Sequence, residues 1–457
     1  TQDAAIEGLA AQLMDDLDRP MTIWHLGPFA NPSHGPHYGR SAAQVRVLSE
    51  STALDPATRV SLPQLKGLAT AEMGNWGRAR EELRGQDMTP LARRVPRLAP
   101  AALLVDGLVN ERYGGNISSP AAAIQLFREQ WLSLLDKPAR SHELALTAAM
   151  GAEYAILRRY DAAATQDWPS ARLLAGEGNW GVKQRYLLAL FALLIEARQH
   201  EALQSVATEV ATNESLRQAI GFDDDQRAWV EELGRLVGGE AEVDRSMVLR
   251  GQRDFRGHRD HASRILVDLM LSRQDLSAGA AELLPLIHTA GPGRGPLGAL
   301  AWYDALTADL GVRIRAGKPQ EARALLAEAL QVMDPNVTLY YGRLCLLDAS
   351  VKLLAGDFAQ AREALERIAV ATAASPSERA LAALHVALLT QERPDRADLA
   401  RVPPFWLGLL KGASAMGCGM QSQAVQDWST AHQGAAVPAE RHLAGALLAY
   451  ARAPKQP

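Results

Sequence analysis

LLAGDFAQAREALERIAVATAASP, running from Leu353 to Pro376, is the stretch whose reading decides the fold. Gly356 suits a tight turn, Ala361 lets two helix backbones approach, and Leu365 fills the space between them. The same phrase, a glycine, an alanine five positions later and a bulky apolar residue four beyond that, returns elsewhere. It reads Gly74, Ala79, Leu83; Gly257, Ala262, Leu266; Gly317, Ala322, Leu326; and Gly419, Ala424, Trp428. A step of about 40 residues, as between Gly317 and Gly356, is two antiparallel helices with their loops. Weaker copies fill the longer gaps: Tyr160 with Ala163 in RRYDAAA, and His200 with Ala202 in ARQHEAL. Pro90, Pro335, Pro376 and Pro438 follow the stronger copies and predict where each second helix has ended, since proline cannot continue a helix.

Two further copies are RAGKPQEARALLAEALQVMDP, Arg315 to Pro335, and EMGNWGRAREELRGQDMTP, Glu72 to Pro90. With Phe358 in the aromatic turn position, these segments resemble tetratricopeptide repeats. Spacings of 60 residues and more depart from that family's unit of about 34, so some hairpins are elongated or divergent. The resemblance implies an all-α fold, an α-solenoid (superhelix) of antiparallel helical hairpins, which holds a protein or peptide on its surface. Three regions are expected: residues 1–40, an N-terminal helix and capping loop; 41–290, divergent repeats; and 291–457, the better repeats closed by a capping helix.

Composition agrees with stacked helices. Hydrophobic residues make up 47% of the chain and aromatics only 5%, so alanine and leucine carry the burial. Strand patterning is nearly absent, VRVL at 45–48 being the one brief run. A net charge of −4 lacks the basic excess of a nucleic-acid binder. Two basic patches, Arg93, Arg94 and Arg97, and Arg250, Arg253, Arg256 and Arg259, read as solvated helix ends and loops. YLLALFALLIEA, Tyr186 to Ala197, is too short to span a bilayer and reads as a buried helix, so no integral membrane segment is expected. Cys345 and Cys418 exclude a disulfide scaffold and read as buried thiols. An exported, periplasmic setting in a bacterium is expected, with the cytoplasm as the alternative.

Met21 to Arg40 is rich in Gly, Pro and His and cannot sustain a helix. Its IWHLGPFANP resembles the Trp-x-x-Gly-Pro-Phe-x-Asn opening of some exported bacterial repeat proteins, over about ten residues. Trp24 and Phe29 are expected to dock this loop as a cap on the helical stack. His25, His34 and His37 share the loop, but their spacing matches no established metal site, and neither metal nor cofactor is expected. His258 and His261 in GHRDH read as surface residues.

Gly293, Gly295 and Gly298 in GPGRGPLG have dinucleotide-loop spacing, yet LLPLIHTA before them reads as the end of a helix, not a strand. That segment, like Gly114 to Pro120, reads as an inter-repeat loop. Asp223, Asp224 and Asp225 precede the helix DQRAWVEELGRL, where they suit a helix N-terminus. The expected function is therefore a non-enzymatic scaffold within a larger complex. Trp302, Tyr303, Tyr340, Tyr341 and Arg343 are the partner-binding side chains, since aromatics and arginine are enriched at binding hot spots. Tyr340 and Tyr341 adjoin, so at most one faces the partner. The alternative is an α-helical toroid enzyme acting on a glycan or isoprenoid, with Asp223–Asp225 in its site and Glu231 and Glu232 nearby.

Overall fold

A computed structural model describes residues 75–88, 120–135, 141–175, 180–239, 242–272, 276–289, 295–333, 339–371, 374–390 and 403–453, with residue 291 and a few positions between 63 and 106. Among these residues every regular element is a helix and none is a strand. The N-terminal helix and VRVL expected from the sequence, Trp24, Phe29, the three loop histidines and Arg93, Arg94 and Arg97 lie outside the described residues.

The chain divides into two compact units, Thr1–Ser272 with Gly293–Gly298, and Arg273–Pro292 with Ala299–Pro457. The first contains α1 (Trp76–Leu83), α2 (Pro120–Leu132), α3 (Ser141–Leu157), α4 (Trp180–Glu196), α5 (His200–Thr212), α6 (Glu214–Ile220), α7 (Asp224–Val237), α8 (Arg245–Asp254) and α9 (Arg259–Leu271). The second contains α10 (Ala278–His288), most of α11 (Pro296–Arg315), α12 (Pro319–Val332), α13 (Tyr341–Leu354), α14 (Phe358–Val370), α15 (Pro376–Leu389), α16 (Pro404–Gly417), α17 (Gln421–Gly434) and α18 (Pro438–Arg452). The sequence reading grouped α10 with the first half. In the structure it belongs to the second unit, where Trp302 of α11 donates its indole N–H to His288 O at 2.9 Å and His288 meets Asp309 at 2.9 Å.

The repeated phrase is visible in the backbone. Gly317, Gly356 and Gly419 have φ of 74°, 81° and 77°, a left-handed conformation that glycine enters without a Cβ clash. In each turn the next N–H reaches five residues back: Lys318 to Arg313 O at 2.9 Å, Asp357 to Lys352 O at 2.9 Å, Met420 to Ala415 O at 2.8 Å. This is the Schellman closure of a helix, which satisfies carbonyls that have no helical partner. Asn75 to Thr70 O at 3.1 Å repeats the bond, as do Tyr160 to Ala155 O at 2.9 Å and Gln199 to Leu194 O at 2.8 Å. In the last two turns Arg159 and Arg198 stand where the others have glycine. The ten residues that follow the glycines in the phrase, from Ala79 and Leu83 to Ala424 and Trp428, are all at 0% exposure.

The structure corrects the register of the weak copies. After Arg198 the buried pair is Leu203 and Ala207, while Ala202 is exposed, so the phrase sits one residue later with its large and small members exchanged. After Arg159 comes only a 3-10 turn, Asp161–Thr165. Gly257 keeps the buried alanine and leucine but lies in the 3-10 turn Arg256–His258, outside the left-handed region. Pro376 and Pro438 open α15 and α18, several residues after α14 and α17 have ended, so they start helices at the position where a missing N–H costs nothing.

In the first unit α4 is the central helix. Every residue from Tyr186 to Ile195 is buried, and α3 and α9 pack on it. A helix apolar all round has no stable place but the interior. In the second unit α13 packs on α14 and α16, α14 on α15, and α16 on α17, which carries α18. Close approach depends on missing side chains. A Cβ added at Gly408 of α16 lies 2.5 Å from Asp427 O of α17 and one at Gly311 of α11 lies 3.2 Å from Leu443 Cα of α18. The helices α11, α13, α16 and α18 therefore face one another around one narrow apolar cavity, lined by Leu310, Leu347, Val351, Leu409, Leu443 and Leu447 among others.

Candidate functional site

Three of the five residues expected to bind a partner come together in the second unit. Tyr303 of α11 and Tyr340, the residue preceding α13, stack with ring centroids 5.4 Å apart and planes inclined by 18°. Arg343 places its guanidinium carbon 5.4 Å from the Tyr340 centroid, and its Nε lies 3.6 Å from Glu378 Oε1. Glu378 is held in turn by the capping box of α15: Ser375 N–H donates to it at 2.8 Å, and Ser375 Oγ accepts from Glu378 N–H. It occupies the space over Gly342, where no Cβ could stand.

Tyr303 and Tyr340 are 1% and 7% exposed, whereas the Arg343 side chain remains 38% exposed. The tyrosine pair is thus a buried platform and Arg343 the group that reaches solvent. Loss of water on its inner side weighs against the charge, but the Glu440 and Glu378 carboxylates outweigh it and hold the guanidinium firmly protonated. Burial first, and then Glu440, push the Tyr303 hydroxyl well above the usual range, so it stays neutral. Trp302 is a core residue at 2% exposure, its indole N–H bonded to His288 O. Tyr341 is half-buried beside Cys345, and burial raises both groups to about 12. Cys345 is buried as the sequence reading has it, but Cys418 is exposed, just past the end of α16, and both are free thiols.

The first unit holds a charged cluster that the sequence reading missed. Glu153 of α3 accepts from Arg185 Nε and Nη2 at 2.6 and 2.7 Å and meets His261 Nε2 of α9 at 2.8 Å. All three are 2% exposed or less. Burial alone would raise the Glu153 pKa, but the charge and hydrogen bonds of Arg185, with His261, bring it down to about 2. His258, whose ring lies edge-on to His261 at 5.9 Å, is driven well below its ordinary value by burial, by His261 and by Arg185. The surface placement expected for His258 and His261 is therefore wrong: they are 3% and 1% exposed, because the short α9 is covered on nearly every side. Charges within largely apolar helices, Glu153 in AAMGAEYAIL and Arg185, two residues after Lys183, in WGVKQRYLLAL, are the signal that could have found this cluster. Buried and bonded to Arg185 and His261, the carboxylate forms an ion pair that ties three helices together.

Asp223 caps α7: its side chain accepts from Gln226 N–H at 2.8 Å, and Gln226 Oε1 returns a bond to Asp223 N–H at 3.2 Å. Asp224 faces Arg217 and Arg227, and Asp225 faces Arg253. The basic run at Arg250 and Arg253 is neutralised by Glu232, Asp225 and Asp254. Gly295 to Gly298, read as a loop, are buried, and α11 begins inside that segment, at Pro296. Among the described residues no grouping of three or more His, Cys, Asp or Glu side chains suits a metal ion, and no helix is long and apolar enough to cross a membrane.

Comparison with known proteins gives no match to a family model, to a curated protein or to a solved structure. Function is argued from these residues alone.

Proposed function

We propose that this protein is a non-enzymatic scaffold, a tetratricopeptide-like α-solenoid that holds a protein or peptide partner as a subunit of a bacterial, exported assembly. The observation that carries this reading is the recurrence of one helix-closing turn, from Asn75 to Met420, followed in five of its six copies by a buried pair at the same offset. Repetition of one supersecondary unit builds surface, and surface of this kind serves recognition.

In this reading Arg343 and Tyr341, on the first turn of α13, make the partner contact, while Tyr303, Tyr340 and Glu378 hold the arginine in place. The inner faces of α11, α13, α16 and α18 fill one another, so the docking surface is the rim at the start of α13 and not a hollow between the inner helices. A guanidinium backed by a tyrosine ring and half-neutralised by carboxylates favours a partner's aromatic or amide plane over a bare anion.

The test is site-specific photo-crosslinking from position 341 in the native host, comparing the otherwise unchanged chain with Arg343→Ala. Support is one partner captured reproducibly at 341 and lost at least tenfold with Arg343→Ala. No captured partner, or equal yields, overturns the reading.

A further inference from the structure

Asp260, in the first turn of α9, is buried at 7% exposure and lies against the start of α11 within the first unit. Its carboxyl group fills the space over Gly298, where an added Cβ would displace it, and accepts a hydrogen bond from Gly295 N–H. Its Oδ2 is buried and has no hydrogen-bond partner. A helix start is thus held to α9 by one carboxyl group with half its bonding capacity unused.

The surroundings decide which protonation state suits that place. From its own helix come Arg259 and His261, and His258 stands just before it; from α3 comes Glu153, engaged by Arg185 of α4. From the turn into α11 come Gly295, just before the helix, and Gly298 within it, neither of which has a side chain. Burial and the Glu153 carboxylate favour the neutral acid, while Arg259 and the Gly295 amide favour the anion. Burial dominates, and the carboxyl is pushed up from 3.8 to about 7.

We propose that Asp260 is a proton-operated latch, whose neutral carboxyl holds the Gly295–Gly298 turn against α9 and whose ionisation loosens it. The sign follows from linkage. With the turn released, the carboxyl regains water and its ordinary acidity; with the turn closed, it keeps its proton until about pH 7. The closed form binds the proton more tightly, so closure is firmest below about pH 3.8, weakens as pH rises from there towards 7, and changes no further above it. Opening should increase by up to about tenfold per pH unit in that window. An exported protein that meets an acidic medium would be tightened by it.

Hydrogen exchange in the full chain, read on the peptide spanning Gly295 to Leu300 at pH 5 and pH 7.5 and corrected for intrinsic exchange chemistry, decides the matter. Protection is expected to fall at least tenfold between the two conditions in the wild type and to be level in Asp260→Asn. Gly298→Ala should lose protection at both, with α3 and α4 unaffected. A wild-type peptide equally protected at both pH values overturns the latch, as does an equal fall in Asp260→Asn, or full protection in Gly298→Ala.

Discussion

Arg198 holds, in the turn between α4 and α5, the backbone position that Gly356 holds between α13 and α14. Their φ values are 57° and 81°, and each is followed by an N–H that reaches five residues back, Gln199 to Leu194 O at 2.8 Å and Asp357 to Lys352 O at 2.9 Å. A side chain in this region costs about 1–2 kcal/mol, of which glycine avoids most but gives back part as chain entropy. Arg198→Gly should therefore raise stability by about 0.5–1 kcal/mol, measured as the shift of a urea denaturation midpoint at constant slope. Arg159→Gly should gain less, because Arg159 also pairs with Glu196 at 2.6 Å. An Arg198→Gly variant less stable than wild type would contradict the equivalence of the turns.

Glu153→Ala removes the two-oxygen acceptor of the buried Arg185 guanidinium and should cost about 3–5 kcal/mol, whereas the double change Glu153→Leu with Arg185→Met should recover most of that loss. The pH dependence follows. The folded pKa of Glu153 is depressed to about 2 from 4.5, so its contribution is present above about pH 4.5 and is lost as pH falls towards 2. Acid titrations of wild type and Glu153→Gln, followed by circular dichroism, should diverge in that window and run parallel above it.

Two glycines test how tightly the helices approach. At Gly408 a Cβ meets backbone atoms, Asp427 O at 2.5 Å and Ala431 N at 2.8 Å, which cannot step aside; at Gly234 it meets only Ala207 Cβ at 3.5 Å, an ordinary contact. Gly408→Ala should destabilise by about 1–3 kcal/mol, and Gly234→Ala should stabilise by about 0.5–1 kcal/mol through helix propensity. Thermal unfolding of both variants checks the contrast; equal effects would mean that the α16–α17 contact is looser than described.

His385 of α15 is lowered to about 4 by burial, with Lys411 adding to the effect and the Leu381 carbonyl, 3.1 Å from Nδ1, opposing it. The fold keeps the ring neutral while the unfolded chain protonates near 6.5. Stability is then lost as pH falls from 6.5 to 4, by a mechanism that His385→Leu removes. The imidazole resonances should stay at their neutral positions at pH 5.5; a midpoint near 6.5 would place the ring in solvent.

Much of the helical framework was legible. The glycine phrase gave the left-handed turns at 317, 356 and 419 because only one residue type adopts that backbone freely, and its alanine and leucine marked buried positions because size at a helix contact is a local requirement. The weak copies were legible as turns but not in register, since an arginine in a left-handed position carries no sequence signature. Of the candidate site, Tyr303, Tyr340 and Arg343 were named from residue type, but their stacking could not be read, because they lie on helices far apart in the chain. His258, His261 and Glu153 escaped for the same reason: a titratable residue on a helix reads as exposed unless the helices that cover it are known.

The sequence by itself determined the class of element and the helix stops at Gly317, Gly356 and Gly419, since turn conformation, capping and helix propensity act over a few residues. Only the tertiary structure decided which faces met. It put α4 at the centre of one unit, closed α11 against α18 in the other, buried Asp260 over Gly298, and left Arg343 exposed above two tyrosines. Those outcomes depend on contacts between residues tens to hundreds of positions apart, where shape and desolvation act and local propensity does not.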